Sequence, residues 1–419
     1  MSFTRKSYYP WVVLLLCAAF LFYKYVLQVS PSIMTDQLMR EFHVSGAGLG
    51  NLAATFFYAY FITQLFVGVI LDKYSLRVIC ALAIAISGIG AIWFSYTGSL
   101  LSASIARGLM GFGAAFATVC YMKSAAVWFR PNQFAFIGGL LATAAMLGAL
   151  FGEAPLAYIV QTQGWRGCLW LSGVLGLVIA VLFFLLVRNQ SGQGDAVSVS
   201  EKYTVTFADV WSVLKNPRNW VLTFYSGLTF SPVAVFGGIW GNPFVHEVYH
   251  FSHTHVASLI SLSFLGLAVG GPVWGWVSDR LNRRKMVMFW GNLVALVSLV
   301  PVIYVILPEW LLATLLFTFG FGVGAFMLGF AMANELNKLA LSATVIALIN
   351  TGDAIFGAFT EPLVGRFLDL GWHGQMSHGV YHFSIIDFKY AFILLPVYLL
   401  LAIGLLMFVR DQAVNSASH

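Results

Sequence analysis

In a chain of 419 residues, 60% hydrophobic and 9% charged, the charged share falls far below the roughly 25% of soluble domains. No water-soluble fold hides that much apolar surface, so the bilayer is the solvent. The net charge of +6 lies in short loops, which points to membrane topology and away from nucleic acid.

Each crossing of the hydrocarbon core takes about 20 apolar residues, and the sequence offers twelve such runs. In the first half they lie near 11–32, 49–71, 77–96, 101–126, 134–158 and 167–187. In the second they lie near 220–245, 256–277, 286–306, 309–332, 343–366 and 388–409. The first run follows Arg5 and Lys6 as a signal peptide would. It is too long and lacks a small-residue cleavage site, so it is expected to stay as a helix. Residues 189–219 form the one long polar segment. Phe207, Val210, Trp211 and Leu214 make a stripe there, after a capping box at Thr206 and Asp209. This reads as a short amphipathic helix, either on the inner membrane surface or packed under the bundle.

The expected organisation is an all-α membrane protein of two six-helix halves, 1–188 and 220–411, with a linker at 189–219 and a tail at 412–419. With the N-terminus inside, fifteen Lys and Arg fall on the cytoplasmic side; only Arg40, Arg166, Arg366 and Lys389 fall outside. That asymmetry puts both termini in the cytoplasm. Cys17, Cys80, Cys120 and Cys168 all sit inside apolar runs without CxxC spacing, as buried thiols do. Eight of nine histidines fall on the outer side, and His246, His250, His253 and His255 have metal-compatible spacing. No acid or cysteine set closes a metal site around them, so solvated loops are expected.

The halves repeat each other. Gly68, Asp72, Lys73 and Arg77 spell G-x3-D-[KR]-x3-R, and Gly275, Asp279, Arg280 and Arg284 spell it again 207 residues on. Pro155-Leu156 and Gly164-Trp165 return as Pro362-Leu363 and Gly371-Trp372 at the same offset, and Gly111-Phe112-Gly113 returns at Gly320. Together these indicate duplication.

Twelve spans in two halves, with this motif after spans 2 and 8, resemble the major facilitator superfamily. Arg107-x3-Gly111-x-Gly113 in span 4 and Gly164-Trp165-Arg166 entering span 6 match further family patterns. The resemblance implies a transporter, not an enzyme, that works by rocking its halves around a central site. It implies that Arg130 joins the loop motif as a cytoplasmic gate and that Ser75 replaces a customary glycine. A narrower set is similar to proteobacterial phagosomal nutrient transporters. It comprises Val29-Ser30-Pro31-Ser32-Ile33-Met34, Leu214-Lys215-Asn216-Pro217-Arg218-Asn219-Trp220, Trp240-Gly241-Asn242-Pro243-Phe244, and Asn350 with Glu361-Pro362-Leu363. Relatives of that kind take up amino acids or nucleosides, and some move carboxylate siderophores across the bacterial inner membrane. They often carry an acid and then an arginine in span 1, where this chain has Lys24 and Gln28.

Ionisable groups within a membrane are costly and invite a functional explanation. Lys24, with Gln28 one turn on, is the expected substrate anchor. Tyr25, Arg107, Tyr225, Trp240 and Asn350 are the further substrate-site candidates. Tyr23, Phe224 and Phe236 are aromatic on the same spans, where lipid-facing or core positions are the commoner fate. Arg107 and Glu153 have matched depth on consecutive spans, which fits an ion pair, either static or a proton site. The family's span-4 arginine favours the second. Asp353 and Glu361 complete the candidate proton-coupling acids; a plain alternative for Glu361 is a pair with Arg366. Lys123, Asn334, Glu335, Asn337 and Lys338 cluster at the inner ends of spans 4 and 10, as snorkelling or gate contacts. No GxxxxGK[ST] suggests nucleotide-driven pumping, and no cofactor or metal is expected. The expected partners are a small molecule, whose anionic case rests on Lys24, Arg107 and Lys123, together with protons and the lipid bilayer, with a monomer as the unit. A rival class is a transporter-like receptor that binds without translocating.

Overall fold

A computed structural model describes residues 8–129, 134–188, 207–337, 341–374, 376–377 and 380–409. Among them, nine stretches are long and apolar enough to cross a membrane. One of these, Leu140–Leu186, runs 47 residues, which is enough for two crossings. It belongs to the helix α7 (Phe134–Leu186), bent back on itself at Gly164, whose φ of 73° and ψ of 168° leave the helical region. Only glycine adopts that conformation readily. With α3 (Gly46–Lys73) and α15 (Ser342–Gly371), the described helices make up twelve spans.

The remaining spans follow in order: α1 (Tyr9–Val29), α4 (Leu76–Tyr96), α5 (Leu100–Ala114) with α6 (Phe116–Trp128), α9 (Pro217–Val235) with α10 (Gly241–Tyr249), α11 (His253–Leu281), α12 (Arg284–Tyr304), α13 (Glu309–Val323) with α14 (Met327–Leu336), and α16 (Ile385–Ala391) with α17 (Leu394–Leu405). Phe207–Lys215 is the helix α8, with Val213 buried and Trp211 exposed. Serines start several spans by accepting a backbone N–H: Ser45 from Gly48, Ser99 from Ser102 and Ser252 from His255. These bonds meet donors that a helix end otherwise leaves orphaned.

Duplication reaches the level of single contacts. A Cβ on Gly111 would sit 2.0 Å from the Phe56 carbonyl oxygen, and one on Gly320 would sit 1.7 Å from that of Ser263. Both span pairs therefore touch backbone to backbone, the close approach small residues permit in lipid. Helix interruptions are paired as well. Span 1 tightens into a 3-10 turn at Ser30–Ile33, and span 7 widens into a π turn at Phe236–Trp240. Span 4 breaks at Ala115, and span 10 breaks at Gly324–Phe326.

Three features depart from the sequence expectation. A short helix, α2 (Thr35–Phe42), follows span 1. The connection after α15 pairs Met376–Ser377 with Val380–Tyr381 in a miniature antiparallel hairpin. The last span begins at Ile385 and breaks before Leu394, earlier than 388; a capping box at Ser384 and Asp387 sets that start. Apolar periodicity does not report such short caps, because their polar residues belong to the boundary rather than to the span.

Below, the end of the bundle where α1 begins and α17 finishes is the terminal side, and the opposite end is the far side.

Candidate functional site

Lys24 is buried in the last third of α1, five residues before its end, with its Nζ 4.1 Å from the Tyr25 ring centre and 4.7 Å from that of Tyr60 on α3. An ammonium between two ring faces regains part of the hydration it lost. Tyr60 in turn accepts a 3.1 Å hydrogen bond from Asn350 of α15, in the other half. Asp353, one turn beyond Asn350, is buried and accepts a 2.7 Å bond from the Ser226 hydroxyl of α9. Lys24 and Asp353 lie within electrostatic reach of each other, yet no ion pair between them is formed among the described residues.

Arg107 is fully buried on α5, but its partner is not Glu153. Its guanidinium donates to the carbonyls of Leu27 and, at 2.8 Å, Gln28, and stacks over Phe56 at 4.8 Å. Those carbonyls lie at the end of α1, where the 3-10 turn begins and the regular ladder runs out. Matched depth did not put Arg107 and Glu153 together because the interrupted end of α1 stands between them. Glu153 instead accepts 2.6 Å from the Ser32 hydroxyl and 2.8 Å from the Asn242 amide. It thereby bridges the interrupted ends of spans 1 and 7, which belong to different halves.

Glu361 faces Arg107 electrostatically. It lines a cavity of about 10 Å³, room for one water, together with Tyr25, Gln28, Phe57 and Gly238. Its Oε2 and the Nε of Arg107 are both buried without a hydrogen-bond partner, a condition rare enough to call for a functional reading. The alternative pair with Arg366 does not form: Glu361 is buried and Arg366 exposed, five residues apart on a helix and so on different faces.

Two aromatic candidates lie elsewhere. Tyr225 is buried inside the second half, accepting 2.7 Å from Asn292 on α12, and does not line the seam. Trp240 donates to the Glu361 carbonyl at 3.1 Å and floors a far-side vestibule of about 410 Å³. Tyr23 packs against Gly176 of span 6, and Phe236 sits among Phe244, Phe319 and Phe392.

At the terminal side, Arg284 holds Asp279 at 3.2 Å and Glu335 at 2.6 Å, tying the loop before α12 to the end of α14. Arg77 donates to the Phe184 carbonyl, and Lys123 to that of Leu71 near the end of α3. A cation there complements the helix dipole. Lys73 and Arg280 lie over Tyr74 and Trp276. A Cβ on Gly68 or Gly275 would meet nothing within 4 Å. Arg130, Lys338 and the Asp72 side chain lie outside the described residues. Asn219 and Asn337 exchange reciprocal amide bonds of 3.2 and 2.8 Å. We expect Arg284→Ala to cost about 1 kcal/mol, because two of its N–H groups converge on one oxygen of a partly solvated Glu335, and Asp279→Ala under about 0.5 kcal/mol, because Asp279 is more exposed still. Thermal unfolding in detergent checks both.

The described histidines occupy the far side. His255 pairs with Glu309 at 3.0 Å and His382 with Glu247 at 3.1 Å, while His246 stacks on His253 at 4.3 Å. Among the described residues, no group of three metal-ligating side chains converges.

A duplicated bundle with opposite charges buried on the seam of its halves defines a polytopic transporter. The chain belongs to the Major Facilitator Superfamily, whose profile matches residues 12–241 and again 228–418. It is thus a membrane transporter and not an enzyme. It is 22% identical to a chloroplastic ascorbate transporter of Arabidopsis thaliana over 86% of this chain and 70% of that one. It is 24% identical to a probable L-galactonate transporter of Escherichia coli over 62% of this chain and 60% of that one. The fold superposes with a TM-score of 0.79 on a bacterial homologue of the human lysosomal transporter Spinster, at 14% identity over 96% and 97% of the two chains.

Proposed function

We propose that this protein is a proton-coupled secondary transporter of a small polar, anionic metabolite, working by alternating access in a bacterial inner membrane with both termini cytoplasmic. The observation that carries this reading is the seam. Lys24 and Arg107 of the first half are buried opposite Asp353 and Glu361 of the second. A carboxylate substrate would take the cations, and the displaced acids would hold the proton; intramembrane carboxylates of this kind serve as proton relays. Gln28 and Asn350 supply neutral hydrogen bonds to the same space. The two relatives named for ascorbate and L-galactonate support an acidic, polyhydroxylated substrate. The phagosomal-nutrient resemblance would instead favour an amino acid or nucleoside, and a polycarboxylate siderophore is the larger anionic case. On this reading the far side is periplasmic, and the loop motifs gate the terminal side.

Purified protein in proteoliposomes decides the matter. A pH gradient should drive accumulation of a carboxylate found by thermal-shift screening, and collapsing the gradient should abolish it. Asp353→Asn, Glu361→Gln or Glu153→Gln should uncouple accumulation while sparing equilibrium exchange in at least one case. Accumulation unchanged without the gradient, or wild-type in all three variants, rules out the coupling. A protein that binds substrate but exchanges none across the membrane is the receptor alternative.

A further inference from the structure

α3 starts with Ser45 as its own cap, but that bond to Gly48 is 3.5 Å, at the limit of a hydrogen bond. The stronger acceptor for the first turn comes from the other half. Asp369, two residues before the end of α15, takes the Gly46 N–H at 2.7 Å on Oδ1 and the Ala47 N–H at 2.8 Å on Oδ2. A carboxylate accepting two N–H bonds at a helix start gains from both charge and dipole. It reaches them only because the helices touch there. A Cβ on Gly365 would lie 2.2 Å from the Gly46 oxygen, and one on Gly50 would lie 2.6 Å from the Glu361 oxygen. Glu361, Gly365 and Asp369 are spaced by four, so they form one stripe of α15 running against Gly50 and Gly46 of α3. Other bonds between the halves on this side are Asn242 to Glu153 at 2.8 Å and Thr254 to Gln161 at 3.0 Å.

We infer that Asp369 is the latch of the far gate, holding that end shut by capping a helix of the opposite half. This rests on the alternating-access reading, but on neither the substrate nor the coupling ion. When the halves part at the far side, the carboxylate loses both N–H donors together, and α3 loses its cap. The far-closed state is therefore favoured as long as Asp369 is present, and substrate binding must offset that preference to open the gate. Asp369 touches no part of the central site, so it acts as a positioning residue.

The test uses the full chain with a reporter cysteine at Gly238, where a Cβ meets its nearest neighbour, Glu361 Oε1, only at 3.9 Å; Cys17, Cys80, Cys120 and Cys168 are all buried. Vesicles with the far side outward are treated with a membrane-impermeant maleimide. Asp369→Asn and Asp369→Ala should raise the labelling rate about tenfold or more, as expected for the loss of paired charge-assisted bonds. Gly365→Ala should raise it too, by prising the helices apart while leaving Asp369 intact. Labelling equal to the parent in both Asp369 variants, with only a lower unfolding temperature, would make Asp369 a static cap and overturn the inference. Should these variants not fold, hydrogen–deuterium exchange on the protein with Asp369 intact answers the same question. The peptide covering Gly46 to Leu49 should be protected at rest and lose protection in step with reporter labelling in Gly365→Ala. Protection unchanged while labelling rises overturns the latch.

Discussion

Lys24→Ala is expected to weaken substrate binding by about a hundredfold or more, the scale of leaving a buried charge without its partner. The ammonium lies between Tyr25 and Tyr60, and among the described residues no carboxylate comes within ion-pair distance. An anion arriving there meets a cation already stripped of water, so little is lost to desolvation on the protein side. Lys24→Arg should recover only part of the affinity, because a forked guanidinium does not fit the gap between two rings that a compact ammonium fills. Binding at fixed pH in detergent is the deciding measurement. Unchanged affinity in Lys24→Ala, combined with lost proton-driven uptake, would show that Lys24 serves Asp353 across the seam and not the substrate.

Gly320→Ala and Gly111→Ala should each destabilise the bundle by about 3 kcal/mol or more, at the upper end of overpacking costs. The added carbon would overlap a backbone oxygen at 1.7 Å in one case and 2.0 Å in the other. Neither neighbour is a side chain able to rotate away: both are main-chain atoms of the facing span. The helices must separate, losing the packing contacts that drive association in lipid. Gly68→Ala is the control, since a Cβ there meets open space, and it should leave the unfolding temperature within a degree or two. Detergent-solubilised protein monitored by size exclusion and thermal unfolding separates the three. Intact, equally stable Gly320→Ala protein would mean that the spans do not pack backbone to backbone.

Span number, the two-half plan and membrane residence follow from local properties, so the sequence by itself determined them. Twenty apolar residues cross a bilayer whatever their neighbours do, and the 207-residue offset between Asp72 and Asp279 is visible without coordinates. Buried charges were also legible one at a time: Lys24, Arg107, Glu153, Asp353 and Glu361 are conspicuous because apolar spans surround them. Their pairing was not. Depth along a helix gives one coordinate, and it matched Arg107 to Glu153; the direction each side chain faces comes from helix rotation and from breaks such as Ser30–Ile33. That turn exposes carbonyls that capture Arg107 and a hydroxyl that captures Glu153. Tyr225 looked like a cavity wall from its span, but rotation turned it toward Asn292. Asp369 is inconspicuous in the sequence because an acid near a span end reads as a solvated boundary residue. Only the tertiary structure brings it to Gly46 and Ala47, over 300 residues away in sequence, because the contact depends on two helices of different halves meeting at glycines.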